Sequence, residues 1–241
     1  MPKPTIVLVH GAWADASSWN AVASELQDQN FTVLGPPNLL RGVASDAASI
    51  SSFVAQRTSG PVVLVGHSYG GFVITNAGAD GGDVRALVYV DAFVPDEGET
   101  TFGILGGSGS ALDVPDPTTV LDLVSYPGGP EGDLDAFLKA DTVHTSFAQD
   151  LPERDRWLIV ESQRPLTLSA NTTPSAPPAW KTRPSWMVIG TEDRVIPPDT
   201  QRHMGERAGA TITDVAASHV SMVSQPQATI DAILAAVAAV G

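Results

Sequence analysis

The sequence contains no cysteine, which excludes disulfide bonds, thiolate catalysis and cysteine-ligated metal sites. Positive charge is also scarce, because 13 Lys and Arg stand against 27 Asp and Glu, for a formal net charge of -14. Such a chain repels a phosphate backbone, so we expect neither nucleic acid nor a membrane surface as a partner. We attribute the acidity to surface solubility rather than to the steering of cationic substrates.

Long apolar runs are missing as well. No stretch approaches the roughly 18 residues that a membrane-spanning helix requires. The first apolar run, residues 5–9, lacks the basic segment that opens a secretory signal, and we therefore expect a cytoplasmic protein. Hydrophobic residues make up 43% of the 241 residues, which is enough for one globular core.

Short apolar runs rich in Val and Ile recur along the chain, and their continuous pattern is typical of parallel strands covered on both faces. These runs are residues 5–9, 31–34, 61–65, 86–90, 185–189 and 211–215. Segments with helical signals lie between or after them: residues 18–29, which begin at a Ser cap, 45–58, 69–79, 199–208 and 225–240. The alternation predicts an α/β fold with a doubly wound, mostly parallel sheet.

The alternation of strand and helix stops in the middle of the chain, where glycine and proline interrupt the pattern. Within this part, residues 134–139 and 152–160 indicate short helices, and the proline-rich residues 172–184 are expected to be extended. A long insertion between buried strands is more typical of an active-site lid than of an idle loop. We predict a core of residues 1–95 and 184–241, with residues 96–183 as an inserted cap.

The sharpest local signal is Gly-His-Ser-Tyr-Gly at residues 66–70, directly after a predicted strand and directly before a predicted helix. The pattern alone is weak in a chain with 22 glycines, but the strand-turn-helix setting is that of a nucleophile elbow. At such an elbow the serine backbone is strained, the hydroxyl stands clear of the sheet, and the glycines avoid collisions. We predict Ser68 as a nucleophile.

A serine hydroxyl needs a base within hydrogen-bond reach and a third group that fixes the tautomer of that base. His219 follows the last predicted strand and Asp193 follows the strand before it, so both would lie at the same sheet edge as Ser68. We predict His219 as the base and Asp193 as the acid. Asp91 also ends a strand and is a rival for the acid, with Glu192 as a third candidate.

The other four histidines fit the role of base less well. His203 falls within a predicted helix among polar residues, which indicates a solvated surface position. His144 lies in the predicted cap, either as a plain cap residue or as a substrate contact. His67 precedes the nucleophile and is expected to point into packing, and His10 precedes Gly11 and is expected to support its loop.

Acyl transfer also needs donors for the developing oxyanion, each contributing on the order of 3 to 4 kcal/mol. The backbone N–H of Tyr69, the residue after the nucleophile, is one predicted donor. The second is the N–H of Ala12, in the loop after the first strand, where Gly11 permits a close approach.

Several of these segments resemble one family. The runs VLVHGAW (residues 7–13), GHSYGG (66–71) and DAFVP (91–95), together with Asp193 and His219, resemble the small α/β-hydrolases related to plant methylesterases and hydroxynitrile lyases. The likeness covers most of the chain outside the predicted cap and implies an ester-hydrolysing or a lyase activity. Those lyases carry a lysine directly after the catalytic histidine, where Val220 stands here, and this departure disfavours lyase activity.

The sequence therefore predicts a serine hydrolase that cleaves a small, moderately hydrophobic ester or lactone through an acyl-enzyme, with a small-molecule ester as its partner. No cofactor is expected and no histidine–carboxylate spacing indicates a metal site. The substrate pocket is expected to be apolar, with Trp13, Phe93, Val195 and Val220 near the nucleophile. Phe102, Leu105 and Trp157 are candidates for its roof.

Two other classes of function fit the same fold. One is a receptor-like protein that binds a ligand with little turnover, and the other is a non-hydrolytic member, such as a lyase or a cofactor-free oxygenase. The sequence also leaves a homodimer open.

Overall fold

Nine strands form two separate sheets in the computed structural model, which describes residues 3–79 and 81–241. In chain order the strands are β1 (Thr5–Val9), β2 (Val33–Leu34), β3 (Val62–His67), β4 (Val84–Val90), β5 (Leu121–Val124), β6 (Asp135–Leu138), β7 (Leu166–Thr167), β8 (Ser185–Gly190) and β9 (Thr211–Val215). The main sheet has the order β2-β1-β3-β4-β8-β9, and all of its pairings are parallel. This arrangement confirms the predicted α/β fold.

Helices lie between the strands of the main sheet and after the last of them. In chain order they are α1 (Asn20–Asp28), α2 (Val43–Arg57), α3 (Gly70–Ala77), α4 (Thr101–Leu105), α5 (Ala140–Thr142), α6 (Glu153–Ser162), α7 (Pro198–Arg207), α8 (Ser221–Ser224) and α9 (Pro226–Val240). None of them, within the described residues, is long and apolar enough to cross a membrane.

The core lies where the central strands pack against these helices. Every residue of β1 and β3 is buried, as is every residue of β4 except Arg85. The outermost strand β9 is largely exposed, so the expectation that residues 211–215 are covered on both faces was wrong. A strand at a sheet edge has one neighbour only, and β9 pairs with β8 alone among the described strands.

Two local predictions were also wrong. Residues 134–139 do not form a helix, because residues 135–138 pair as strand β6 with β5 on one side and β7 on the other. The segment 18–29 does not begin at a Ser cap, because a 3₁₀ turn at Ala16–Trp19 precedes α1 and Asp15 accepts the N–H of Ser17. Strand pairing decided the structure of residues 135–138, and the cap at Asp15 decided where the turn before α1 begins.

The part of the chain between β4 and β8 adds no strand to the main sheet. It contains the antiparallel sheet β5-β6-β7 and the helices α4, α5 and α6. Since all six main strands are parallel, their carboxyl ends meet at one edge, where open α/β sheets bind ligands. Ser68 follows β3 at this edge, Asp193 follows β8 and His219 follows β9.

Candidate active site

Ser68 occupies a strained turn between β3 and α3. Its φ of 52° lies in the left-handed region, which non-glycine residues adopt rarely and which is frequent at functional sites. A Cβ on Gly66 would lie 2.6 Å from the carbonyl oxygen of Gly70, so glycine is required for this tight turn. Backbone hydrogen bonds from Ser68 to Val90 and from Phe93 to Ser68, both 3.3 Å long, tie the turn to the chain around the end of β4.

Three side chains form a continuous hydrogen-bonded chain, here called the Ser–His–Asp array. The Oγ of Ser68 lies 2.8 Å from Nε2 of His219, and Nδ1 of His219 lies 2.7 Å from Oδ2 of Asp193. With the proton on Nδ1, the imidazole donates to the carboxylate and its Nε2 accepts from the serine hydroxyl. All three residues are buried, which strengthens these electrostatic contacts.

The carboxylate of Asp193 has a complete set of partners. Its Oδ1 accepts the backbone N–H groups of Val195 and Ile196, over 2.8 and 3.0 Å. Its Oδ2 accepts from Gln201 Nε2 over 2.7 Å, in addition to His219. Gln201 lies on α7 and is fully buried. Sequence reasoning did not single out Gln201, because only the packing of α7 brings it to Asp193.

Asp91, the rival for the acid, makes no hydrogen bond to His219 within the described residues. Its Oδ1 accepts the backbone N–H of Gly190 and its Oδ2 accepts that of Ser221, each over 2.8 Å. Burial and the nearby charge of Asp193 raise the pKa of Asp91 to about 7. Glu192, the third candidate, has an exposed side chain.

The remaining histidines lie outside the array. His67 is fully buried and its Nε2 donates to the carbonyl of His219 over 2.8 Å, while burial holds its pKa well below the usual range. His10 supports its loop, because its Nδ1 donates to the carbonyl of Gly11 and its Nε2 accepts the N–H of Asn38. His144 packs edge-on against Trp157, and His203 is exposed.

The loop after β1 packs against the serine turn. A Cβ on Gly11 would lie 2.7 Å from Cβ of Ser68, so only glycine permits this approach. The backbone N–H groups of Ala12 and Tyr69, the predicted oxyanion donors, donate to no protein acceptor in the described residues. Trp13 anchors the loop, since its backbone N–H donates to the carbonyl of Arg164 and its indole Nε1 to that of Ala136, each over 2.8 Å.

A buried acid holds the side chain that follows Ser68. The hydroxyl of Tyr69 donates to Oδ2 of Asp46 over 2.9 Å, and the same carboxylate accepts the backbone N–H groups of Arg41 and Gly42. Burial raises the pKa of Asp46, and burial together with the Asp46 charge raises the pKa of Tyr69. This contact keeps the phenol in place, so the Tyr69 backbone has a defined position next to the nucleophile.

Ser68 lies in the wall of a cavity of about 260 Å³. The residues from the core that line it include Ala12, Trp13, Tyr69, Phe93 and Val195. Most of the remaining lining comes from the chain between β4 and β8 and is mainly apolar: Thr101, Phe102, Leu105, Leu112, Asp113, Val114, Pro117, Leu121, Ala136, Leu166, Leu168 and Asn171. The cavity thus offers an apolar site with the serine hydroxyl in its wall.

Two predicted pocket residues lie elsewhere. Val220 lines a second cavity of about 220 Å³, together with Phe147 and Leu158, and Trp13 lines both cavities. Trp157 lines neither of the two cavities and is 47% exposed. Both residues were placed by their position along the chain, which does not determine the direction in which a side chain points.

The chain between β4 and β8 also contacts the loops that carry the acid and the base. Asp150 accepts both the backbone N–H and the hydroxyl of Ser218, the residue before His219. Gln149 Nε2 donates to the carbonyl of Glu192, the residue before Asp193, over 2.7 Å. Sequence reasoning missed both contacts, since no local pattern marks them.

The fold and this site together identify the class of the protein. A family model described as the alpha/beta hydrolase family matches residues 6–232, and the chain belongs to that family. Among curated relatives, a carbendazim hydrolyzing esterase from Nocardioides sp. is 36% identical over 113 residues, which cover 41% of this chain and 46% of that protein. Methylesterase 2 from Arabidopsis thaliana is 26% identical over 97% of this chain and 95% of its own.

Solved structures agree on the fold. Polyneuridine aldehyde esterase superimposes with a TM-score of 0.81 at 20% sequence identity, covering 97% of this chain and 99% of that one. A pyrethroid hydrolase from Sphingobium faniae JZ-2 superimposes with a TM-score of 0.73 at 21% identity, covering 98% of both chains. At these identities the likeness is one of fold alone.

Proposed function

We propose that this protein is a serine hydrolase that cleaves a small, moderately hydrophobic ester or lactone through an acyl-enzyme. The observation that carries the proposal is the unbroken hydrogen-bonded chain from Ser68 Oγ through His219 to Asp193, at the wall of an apolar cavity. The esterase relatives support the same reaction class.

In the proposed first step, His219 Nε2 takes the proton of Ser68 Oγ while that oxygen attacks the carbonyl carbon. The carbonyl oxygen becomes negative and accepts hydrogen bonds from the backbone N–H groups of Ala12 and Tyr69. Neither N–H donates to a protein acceptor in the described residues, so both are available to the substrate. Asp193 stabilises the imidazolium. His219 then gives its proton to the departing alcohol, which leaves an acyl group on Ser68.

In the second step, His219 takes a proton from water as the water oxygen attacks the acyl carbon; the bond to Ser68 Oγ then breaks, His219 returns the proton to that oxygen, and the acid is released. Regeneration of Ser68 needs no further reactant. The Asp193 carboxylate is preorganised by its bonds from Val195, Ile196 and Gln201, so little rearrangement accompanies the transfer of charge.

The cavity limits the substrate class. At about 260 Å³ it is slightly below the range of roughly 300 to 1,000 Å³ that is common for ligand pockets, which favours small substrates. Its apolar lining favours a hydrocarbon acyl or alcohol group over a charged one. We further propose that residues 96–183 act as a cap that shields the acyl-enzyme, because most of the cavity lining belongs to them.

The test combines a fluorophosphonate probe, which labels activated serines, with hydrolysis of p-nitrophenyl acetate. The wild type should be labelled and should turn over, whereas Ser68→Ala should lose both. Ser52→Ala, at an exposed serine on α2, is the matched control and should behave like the wild type. An unlabelled, inactive wild type would favour a ligand-binding protein or a non-hydrolytic reaction, and hydrolysis that survives Ser68→Ala would show that Ser68 is not the nucleophile.

A further inference from the structure

We infer that Asp91 is a positioning residue for the proposed hydrolysis, with a carboxylate that holds together the loops carrying Asp193 and His219. The inference rests on the proposed function of the Ser–His–Asp array. Asp91 does not line the cavity, and its carboxylate acts through the backbone of Gly190 and Ser221, to which it is hydrogen-bonded.

The order of the strands places Asp91 in the middle of the site. Strands β3, β4, β8 and β9 are consecutive neighbours in the sheet, and Ser68, Asp91, Asp193 and His219 follow them in that order. Neighbouring strands lie about 4.8 Å apart. Asp91, at the end of β4, therefore lies between the serine turn after β3 and the acid loop after β8.

Both oxygens of Asp91 are used, one for each loop. Oδ1 accepts the N–H of Gly190, which ends β8 three residues before Asp193, and Oδ2 accepts the N–H of Ser221, two residues after His219. Hydrogen bonds to a charged acceptor are roughly twice as strong as neutral ones. A single ionised carboxylate thus fixes the separation of the two loops.

The backbone of Asp91 supports a functional role. Its φ of 45° is in the left-handed region, and its side chain is fully buried. No Lys or Arg within the described part of the chain forms an ion pair with it. A strained backbone and an uncompensated buried carboxylate both oppose folding, and such features persist mainly where function needs them.

The charged groups around Asp91 make its role dependent on pH. Burial and the Asp193 charge raise the pKa of Asp91 to about 7, while His219 acts in the opposite direction. His67, which faces His219, has its pKa held low by burial and carries no compensating charge. As pH falls through about 7, one oxygen of Asp91 gains a proton and becomes a poorer acceptor for its backbone N–H.

The experiment compares Asp91→Asn and Asp91→Ser with Asp83→Asn, using p-nitrophenyl acetate across a pH series. Asp83 precedes β4 at the opposite end of the same strand and is exposed, so its replacement removes an equal charge far from the site. For both Asp91 variants we expect kcat to fall about tenfold with KM within about twofold, because the substrate cavity is intact while the reacting groups are misaligned. The acid limb of the pH profile should become shallower, because one of its ionisations is gone.

Amide hydrogen exchange supplies a readout that needs no turnover. The peptides that contain Gly190 and Ser221 should exchange faster in both Asp91 variants than in the wild type, and at the wild-type rate in Asp83→Asn. Wild-type kcat, an unchanged acid limb or unchanged exchange in either folded Asp91 variant would overturn the inference. If the wild type itself is inactive and unlabelled by fluorophosphonate, the proposed function fails, while the exchange data still decide whether Asp91 orders the two loops.

Discussion

The side-chain amide of Gln201 donates to Oδ2 of Asp193 over 2.7 Å, on the same carboxylate oxygen that faces Nδ1 of His219. Gln201 also donates to the carbonyl of Ile196 over 2.8 Å, so it ties the start of α7 to the acid loop. The acid that orients the imidazole is therefore itself oriented by a buried helix side chain.

We predict that Gln201→Leu lowers kcat about tenfold, because the Asp193 carboxylate loses a donor that fixes its angle toward His219. KM for p-nitrophenyl acetate should change little, since Gln201 does not line the cavity. Steady-state kinetics test this, with Gln227→Leu on the exposed side of α9 as the control. Equal rates for the two variants would show that Asp193 needs no such support.

The role of the acid has a sharper test. Asp193→Asn should reduce kcat by a factor on the order of 10³ to 10⁴, because an amide no longer stabilises the imidazolium or the required tautomer. Glu192→Gln, at the exposed neighbour, should stay near the wild-type rate. A larger loss from Asp91→Asn than from Asp193→Asn would transfer the role of acid to Asp91.

The cavity predicts a preference for chain length. Each methylene that enters an apolar site contributes about 0.8 kcal/mol, so kcat/KM should rise roughly fourfold per carbon along a p-nitrophenyl ester series until the cavity is full. Ala136→Phe fills part of the cavity and should move the maximum to a shorter acyl chain. Leu158→Ala, in the second cavity, should leave the maximum in place. The opposite pattern would assign the acyl group to the second cavity.

Stability should also depend on Asp91 through pH. Its folded-state pKa is raised from 3.8 to about 7, so its contribution to stability is fully present below about pH 4 and is lost as pH rises toward 7. As pH rises from 4 to 7, the Tm of Asp91→Asn should therefore increase relative to the Tm of the wild type. Above pH 7 the difference between the two Tm values should stay constant. Asp83→Asn should show no such trend in this range, because the pKa of Asp83 is lowered by Arg85. Thermal unfolding across the pH series measures both.

Much of the fold could be predicted from local pattern. The buried strands β1 and β3 carry continuous apolar runs rich in Val, and the glycines around Ser68 mark a turn that no other residue type fits. The residues of β6 lack such a signal, because a four-residue strand exists only through its pairing with β5 and β7. The edge position of β9 likewise depends on the order of the strands rather than on its own residues.

Local patterns in the sequence were enough to predict the serine turn, the chain order of Ser68, Asp193 and His219, and the sheet edge at which these residues would meet. The reason is that buried parallel strands and glycine-bounded turns each leave a recognisable pattern within a short stretch of sequence. The packed molecule was needed to separate Asp193 from its rival Asp91 as the partner of His219, and to reveal that Gln201 supports the Asp193 carboxylate. It also decided that Val220 faces a different cavity from Ser68. Those outcomes depend on distances of a few ångström between segments far apart in the chain, which only the packed molecule defines.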